Sequence, residues 1–320
     1  MTNAIQSMKA NCKNCYKCLR VCPVKSIRFS NGQAEIMSDF CIYCGACVSA
    51  CPQEAKAVCS DLEAVREMLR FHEQVVLTLA PSFLGSFELD DPRRLVGALK
   101  RLGFAQVRET ARGAAMVSDE LARIAAQGTM DNILTTCCPS AVQLVEKYYP
   151  DLTDSLSPVV SPMVAHGKSI KKELGQDVKV VFAGPCIAKI EEGKDVRYNG
   201  AIDGVLTFKD LIGWLQAAGI DPAQAEPQDF DEDLAGLAAL YPVQSGILEN
   251  VRARGIEGYD LLHVEGVEEL QELLEAIRAG QLHHCFVEIN ACHGSCMGGP
   301  VTGVERGKRF KGAVQDRKSV

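Results

Sequence analysis

Two blocks of four closely spaced cysteines open this chain of 320 residues and limit what its first part can become. In each block, three cysteines are separated by two residues each, and a fourth follows after three intervening residues and precedes a proline. The blocks are Cys12, Cys15, Cys18 and Cys22, then Cys41, Cys44, Cys47 and Cys51. This spacing is typical of proteins that hold two [4Fe–4S] clusters, in which the fourth cysteine of each run serves the other cluster. The predicted ligand sets are Cys12, Cys15, Cys18 and Cys51, and Cys41, Cys44, Cys47 and Cys22.

Disulfide bonds and zinc sites also use closely spaced cysteines, but they explain this pattern less well. Disulfides need an oxidising compartment, whereas the first twelve residues carry neither the apolar core of a signal peptide nor a twin arginine. Structural zinc sites take four ligands in two pairs, so they leave the third closely spaced cysteine and the Cys-Pro step unexplained. We therefore expect reduced thiolates that bind iron, and a cytoplasmic location.

Length and charge exclude several classes of function. The net charge of −7 is spread without long runs, which argues against a nucleic-acid partner or an acidic lipid surface. The longest apolar stretches, such as residues 178–190, are interrupted by lysine and proline and are too short to span a membrane. The predicted domains are a ferredoxin-like domain at 1–60, a connecting helix at 61–74 and a catalytic domain at 75–320.

From Val75 onward, short apolar runs alternate with amphipathic stretches, which predicts an α/β domain with largely parallel sheets. The predicted strands are 75–79, 133–136, 178–183, 204–208, 259–264 and 285–289. The predicted covering helices are 93–102, 118–126, 141–148, 209–217 and 267–278. In such a domain, ligands gather at the carboxyl ends of the strands.

Three of these predicted strands lead into cysteine-bearing segments. The segments are Thr135-Thr136-Cys137-Cys138-Pro139, Gly184-Pro185-Cys186, and residues 288–300 with Cys292 and Cys296. A buried cysteine is by default a small apolar residue, as we expect for Cys59 and Cys285. That default does not explain the proline in each segment and the glycines in the last two, which free backbone amides and allow a bulky ligand to approach. The pattern predicts a single metal site assembled between strand ends.

These three segments, together with Ala80-Pro81-Ser82, resemble the signature motifs of the catalytic domain of the [FeFe]-hydrogenases. The resemblance covers essentially the whole chain and implies a two-lobed iron-hydrogenase α/β domain behind the ferredoxin-like domain. In that family the active site is the H-cluster, a [4Fe–4S] cube joined through one cysteine sulfur to a diiron centre with CO, cyanide and a bridging dithiolate amine. The implied cube ligands are Cys138, Cys186, Cys292 and Cys296, of which Cys296 would bridge to the diiron unit.

The resemblance also implies roles for residues around the diiron unit. Cys137 would be the proton-relay thiol, and Lys189 would hold a cyanide by a charge-assisted hydrogen bond. Glu192 stands where the family has an acid and is a candidate for a proton path. Asp119, Glu120 and Ser140 are further candidates, although charged residues on predicted helices more often face water. The residues implied to line the pocket are Pro81, Ser82, Ser161, Pro162, Gly184, Pro185 and Asn290.

The sequence departs from the family around this pocket. Gly184 and Asn290 stand where methionine is usual, Met163 replaces a glutamine, and the tryptophan after the Cys-Cys-Pro motif is absent. We expect a void and a polar amide in place of apolar packing, and hence an altered diiron centre. Similar departures occur in divergent and sensory-type branches of the family. The chain ends 24 residues after Cys296, earlier than in the familiar enzymes, so we expect a partner protein to cover that surface.

The leading hypothesis is a low-turnover [FeFe]-hydrogenase-like oxidoreductase. It would couple H2 and protons to a ferredoxin-like or flavoprotein electron carrier through two [4Fe–4S] clusters. A second hypothesis is an H2-sensing regulator with the same H-cluster, whose output is a change in a partner protein. A third is an electron-transfer or assembly-related iron–sulfur protein that keeps the cube and lacks the diiron unit.

Overall fold

The eight N-terminal cysteines lie in a small unit of four short strands and two short helices. The structure is a computed structural model that describes residues 3–72, 74–198 and 200–303. The elements of the small unit are β1 (Ile5–Ser7), α1 (Lys17–Val21), β2 (Ile27–Ser30), β3 (Gln33–Ile36), α2 (Ala46–Ala50) and β4 (Lys56–Val58). Strand β1 pairs antiparallel with β4, and β2 pairs antiparallel with β3. Both short helices begin directly after a cysteine loop, so the repeated sequence pattern becomes a repeated local structure.

Two parallel sheets form the rest of the described chain. Its elements are α3 (Leu62–Phe71), β5 (Val75–Leu79), α4 (Arg93–Arg101), β6 (Gln106–Glu109), α5 (Ala111–Gln127), β7 (Ile133–Leu134), α6 (Pro139–Tyr148), α7 (Pro162–Leu174), β8 (Lys179–Gly184), α8 (Ala188–Gly193), β9 (Gly204–Thr207), α9 (Phe208–Ala217), α10 (Gly246–Arg252), β10 (Asp260–Glu265), α11 (Val267–Arg278) and β11 (Cys285–Asn290). One sheet has the strand order β6-β5-β8-β9 and the other β10-β11-β7. All of their pairings are parallel. The predicted α/β fold with parallel sheets is confirmed.

The strand orders bring the sequence motifs together. In the first sheet β5 and β8 are neighbours, so Ala80-Pro81 and Pro185-Cys186 leave the same edge. In the second sheet β7 and β11 are neighbours, so Cys137-Cys138 and Cys292 leave a common edge as well. Because the carboxyl ends of parallel strands point the same way, each sheet presents two motifs at one edge.

Several elements were missed by the sequence pattern, and their composition explains why. Strand β6 reads Gln-Val-Arg-Glu, so it has no apolar run. Its Arg108 can be buried because it is paired with Glu173 at 2.7 Å. Helix α5 begins at Ala111, seven residues before the predicted start, since its first turns are rich in alanine and glycine. Helices α7, α8 and α10 also went unpredicted. Thus buried ion pairs and small residues hide elements from a search for apolar periodicity.

The cysteine-rich unit packs directly on the larger part of the chain. The backbone N–H of Ala4 donates to Glu191 Oε1 at 2.6 Å, and Lys147 Nζ donates to the carbonyl of Cys41 at 2.6 Å. Tyr148 Oη donates to the carbonyl of Phe40 at 2.7 Å. The unit is therefore held against helices α6 and α8, which both begin near a motif cysteine. No helix in the described ranges is long and apolar enough to cross a membrane.

The expected domain boundaries, after residues 60 and 74, stay predictions. Helix α3 spans Leu62–Phe71, within the stretch expected to connect the two domains. Residues 304–320 lie outside the described residues, and the partner protein expected to cover the C-terminal region stays a prediction.

Candidate metal centre

The structure gathers the N-terminal cysteines into two groups, each around a small cavity. The outer cavity is lined by Cys12, Cys15, Cys18 and Cys51, and the inner cavity by Cys22, Cys41, Cys44 and Cys47. We call these the outer set and the inner set. They have the composition that the spacing predicts, with the fourth cysteine of each run joining the other group. Cys15 of the outer set is exposed, whereas three members of the inner set are buried.

A buried lysine lies beside these cysteines. Lys56 Nζ donates to Ser7 Oγ at 2.5 Å and to the carbonyl of Ala34 at 3.1 Å. Burial raises the pKa of the Cys18 thiol and raises that of Cys47 to about 12, and the Lys56 charge opposes both shifts. This cation would stabilise thiolates in both sets. Sequence reasoning missed Lys56, although a lysine in the strand that follows the second Cys-Pro is a readable signal.

The four motif cysteines (Cys138, Cys186, Cys292 and Cys296) come together at the strand ends. Burial raises the pKa of Cys186 to about 11, and the charge of Cys138 adds to the shift. Burial also raises the pKa of Cys292, with further contributions from the other three motif cysteines. Such mutual effects require the thiols to lie near one another. All four residues keep some exposed surface despite their depth, which indicates that they face an open space.

Glycines allow the segments around this site to touch. A Cβ atom on Gly299 would lie 2.6 Å from the carbonyl oxygen of Pro185, so the third motif packs backbone to backbone against the second. Gly45 of the small unit has φ +77°, and a Cβ there would lie 2.5 Å from Pro300. Only glycine suits that conformation and approach. The loop that carries Cys44 is thereby brought next to the third motif.

Cys137 lies beside the four motif cysteines and faces charged groups. Burial raises the pKa of its thiol, the Lys189 charge lowers it, and the charges of Glu288 and Glu192 raise it. Lys189 Nζ lies 2.5 Å from Glu192 Oε2, and both side chains are buried. Burial disfavours the charge on Lys189, but the ion pair with Glu192 outweighs burial and raises the pKa of Lys189. Glu192, the candidate proton-path acid, therefore holds Lys189, the candidate cyanide-binding cation, in place.

Several of the residues expected to line the pocket lie in a turn or at the start of a helix. Pro81 and Ser82 lie in the turn Pro81–Gly85 after β5, and Ser161 caps α7, which begins at Pro162. Among the described residues, the buried hydroxyls of Ser82 and Ser295 have no hydrogen-bond partner. Buried hydroxyls normally find partners, so these two fit a site that holds a polar group. The soft thiol donors and the free hydroxyls together fit the cofactor that the motifs imply.

The other acids considered for a proton path lie at the surface. Asp119 pairs with Arg254 at 2.6 Å, and Glu120 pairs with Arg123 at 2.6 Å. Their side chains are 70% and 43% exposed, as expected of solvated helix residues. Sequence reasoning missed a different acid, Glu288, which is fully buried on β11. The signal was present, since Glu288 is the one acidic residue in the otherwise apolar run 285–289.

Gly184 does not leave the void that we expected from the missing methionine. The ring of Phe182 fills that space, since a Cβ on Gly184 would lie 2.6 Å from Phe182 Cζ and 3.3 Å from Ala80 Cβ. The expected polar amide is present, but Asn290 Nδ2 donates to Glu288 Oε1 at 3.2 Å. The pocket is therefore repacked at Gly184, and a new polar contact forms at Asn290.

Restoring the family methionine should destabilise the protein. Gly184→Met places a side chain where the Phe182 ring lies, and overpacking of this kind costs about 1–3 kcal/mol. We expect a lower Tm in thermal unfolding at a fixed scan rate, by roughly 2–4 °C per kcal/mol. The matched control is the double variant Phe182→Leu with Gly184→Met, which makes room and should recover most of the loss. An unchanged Tm in the single variant would contradict this packing.

Comparison with known proteins places the chain in a family. A family model for the iron only hydrogenase large subunit, C-terminal domain, matches residues 73–300. The chain belongs to the iron-only hydrogenase family. A 4Fe-4S dicluster domain model matches residues 4–52, which agrees with the ferredoxin-like N-terminal unit. The resemblance drawn from the motifs is confirmed.

The individual relatives are distant. NADP-reducing hydrogenase subunit HndD of Solidesulfovibrio fructosivorans is 28% identical, over 83% of this chain and 56% of its own length. Cytosolic iron-sulfur assembly component 3 of Bos taurus is 23% identical, over 83% of this chain and 71% of its own length. A variant [FeFe]-hydrogenase of Chlamydomonas reinhardtii shares the fold at 20% identity and a TM-score of 0.67, over 80% of this chain and 88% of that chain. The chain spans little more than half the length of the curated hydrogenases that it matches.

Proposed function

We propose that this iron-only hydrogenase family member is an oxidoreductase that interconverts H2 with two protons and two electrons at an H-cluster. The convergence of the four motif cysteines, with the fifth thiol of Cys137 beside them, is the observation that carries this proposal. Soft thiolates at the junction of two sheets suit an iron–sulfur group. When bound, the H-cluster would supply the open metal site at which H2 is split.

The residues of the chain bind this group and handle its protons. Lys189 places a buried positive charge in the pocket, and Glu192 holds that charge in position at 2.5 Å. Cys137 keeps its proton at neutral pH because burial raises the pKa of its thiol. A thiol in that state can act as a proton donor within the pocket. We expect low turnover, because Gly184 and Asn290 change the contacts around the diiron unit.

The positions of the two N-terminal sets give an order for electron transfer. The inner set lies next to the third motif, since Cys44 and Cys292 line one cleft of about 1210 Å³. The outer set lies at the surface, where Cys15 is exposed. Electrons would therefore pass between a partner and the outer set, and between the inner set and the motif cysteines. We further propose an anaerobic cytoplasmic location, where thiols stay reduced.

The surface around the outer set indicates the charge of the partner. The first 34 residues hold six basic and no acidic residues, whereas the whole chain has a net charge of −7. All six are exposed, and they are Lys9, Lys13, Lys17, Arg20, Lys25 and Arg28. The partly exposed aromatic rings of Tyr16 and Phe29 lie beside Cys15, and their centroids are 4.8 Å apart. This basic surface fits an acidic one-electron carrier of the ferredoxin or flavoprotein type.

Reversing charge on this surface should weaken reaction with an acidic carrier. The double variant Lys13→Glu with Arg20→Glu should lower kcat/KM for an acidic ferredoxin about 10-fold at low salt, and added salt should shrink the difference. Uptake with a small dye acceptor should stay unchanged. Lys168→Glu with Lys172→Glu, on exposed positions of α7, is the matched control. Equal losses in both double variants would show that the basic surface is not the docking site.

The proposed activity is tested on protein loaded anaerobically with iron–sulfur clusters and the diiron precursor. We expect H2-dependent reduction of a dye, slow but clearly above protein that carries the iron–sulfur clusters alone. The same rate in both samples would contradict a hydrogenase function. An H2 sensor would also give slow uptake, so capture of a partner that depends on H2 would separate that role from metabolism.

A second candidate is an iron–sulfur protein that keeps the cube and lacks the diiron unit. Phe182 occupies the place of the family methionine, and Asn290 puts a polar group at another methionine position. Similarity to an iron–sulfur assembly component is in line with this role. This candidate predicts three clusters per chain and no H2 uptake after treatment with the diiron precursor.

A further inference from the structure

Four polar residues share one face of two adjacent strands beside the motif cysteines. On the parallel strands β10 and β11, His263 is directly opposite Glu288, and Glu265 is directly opposite Asn290. Because residues two apart on a strand point to the same side, all four side chains lie on one face. Their strand neighbours Leu262, Val264, Val287 and Ile289 are apolar. This polar file runs between the candidate pocket and the surface.

Glu288 is the buried centre of the file. Its Oε2 accepts backbone N–H groups of Ile247 and Leu248 at 3.0 and 3.1 Å, and its Oε1 accepts Asn290 Nδ2 at 3.2 Å. Glu288 also lies close enough to Cys137 for its charge to raise the pKa of that thiol. Three hydrogen-bonding groups thus fix this carboxylate near Cys137, and no hydrogen bond joins it to a motif cysteine among the described residues.

His263 connects Glu288 with the surface. Its Nε2 lies 3.7 Å from Glu288 Oε1 and 3.9 Å from Glu265 Oε2. This nitrogen is buried and has no hydrogen-bond partner among the described residues. The His263 and Glu265 side chains are each 16% exposed, whereas Glu288 is fully buried. The imidazole therefore lies between a buried and a partly exposed carboxylate, at distances that a small shift or a bridging water would close.

We propose that Glu288 and His263 carry protons between the candidate pocket and solvent. This inference rests on the proposed function, in which protons form in the pocket. A proton from the pocket adds to Glu288 Oε1, which becomes a neutral acid. It then moves to Nε2 of His263, which becomes an imidazolium, and from there to Glu265 and water. Each transfer breaks one bond to hydrogen and forms another, so no electron donor or acceptor is needed.

The electrostatic setting agrees with this role. Burial raises the pKa of Glu288 to about 7, although its backbone hydrogen bonds oppose the shift. Burial lowers the pKa of His263, whereas the charges of Glu265 and Glu269 raise it. Tyr241 lies near enough to Glu288 to feel its charge, and its Oη forms a hydrogen bond of 2.6 Å with Ser118 Oγ. A buried carboxyl group with a pKa near neutral, next to an imidazole, suits a relay.

The first test measures H2 uptake of the fully loaded protein with a dye acceptor. Glu288→Gln keeps an oxygen that accepts the backbone N–H groups, and it should lower uptake about 100-fold without changing iron content. His263→Gln should lower uptake less, since water can replace a partly exposed group. Glu272→Gln, an exposed glutamate on α11, is the control and should have no effect. Wild-type uptake in Glu288→Gln, or a loss found in Tyr241→Phe instead, would overturn the proposal.

The second test needs no H2 activity. In protein that carries only iron–sulfur clusters, we expect the midpoint potential of the cluster on the motif cysteines to vary with pH around 7, because Glu288 takes up a proton on reduction. Glu288→Gln should remove this variation, and Glu272→Gln should keep it. An equal pH dependence in wild type and Glu288→Gln would overturn the inference. If the wild type shows a pH dependence that Glu288→Gln removes, but shows no H2 uptake, the proposed function fails while Glu288 is still shown to take up a proton.

Discussion

Cys137→Ala should lower H2 uptake by about 10²–10⁴-fold, the range lost when a positioned proton donor or acceptor is removed. The reason is its place in the pocket, where burial raises the pKa of the thiol and keeps it protonated. Cys137 is not one of the four motif cysteines, so the variant should keep its iron. The measurement is H2-dependent dye reduction by loaded protein, together with the iron content of the same sample.

Two control variants separate a proton role from a structural one. Cys285→Ala removes another buried thiol, on β11, and should leave uptake and iron content unchanged. Cys138→Ala removes a motif cysteine and should lose both uptake and about four irons per chain. If Cys137→Ala also loses those irons, the thiol is a ligand. Equal H2 uptake in Cys137→Ala and wild type would show that Cys137 does not carry protons.

Lys189→Met should destabilise the protein by about 3–5 kcal/mol, because it leaves Glu192 buried and unpaired. The two side chains form an ion pair at 2.5 Å in the interior, and burial of one charge without its partner is costly. The loss should appear as a lower Tm and as poor retention of the diiron unit. Thermal unfolding and infrared spectroscopy of the same preparation measure the two effects.

The matched variant removes both charges at once. Lys189→Met with Glu192→Gln leaves no buried charge unpaired, so its Tm should lie closer to that of the wild type than the single variant does. It should still retain the diiron unit poorly, since the cation is missing. If the single and double variants have the same Tm, the ion pair contributes little. If both retain the diiron unit fully, Lys189 does not help to bind it.

Local patterns in the sequence predicted most of the frame of this site. The cysteine spacing predicted which four thiols of each N-terminal set lie around one cavity, because a short loop can aim three of them at one place and the fourth reaches across from the other run. The apolar runs predicted strands β5, β7, β8, β9, β10 and β11, since buried parallel strands need such runs. The motifs then lie at strand ends, as a parallel sheet requires.

Features that depend on pairing between distant segments could not be predicted in this way. His263 lies opposite Glu288 only because β10 and β11 pair in one particular register, across 25 residues of chain. The void expected at Gly184 is filled by Phe182, two residues earlier on the same strand. The sequence of the strand does not predict the orientation of the Phe182 ring. Strand β6 could not be predicted from an apolar run, because its buried Arg108 forms an ion pair with Glu173 of the distant helix α7.

Infrared spectroscopy of anaerobically matured protein can detect the proposed diiron unit itself. We propose that the four motif cysteines bind one cube, and that the adjoining pocket of Lys189 and Ser82 holds a diiron unit with CO and cyanide. We therefore expect CO and cyanide stretching bands in the wild type and their loss in Cys296→Ala, which lacks the sulfur that would bridge to that unit. A wild type with about twelve irons in three cubes and no such bands would contradict the proposal.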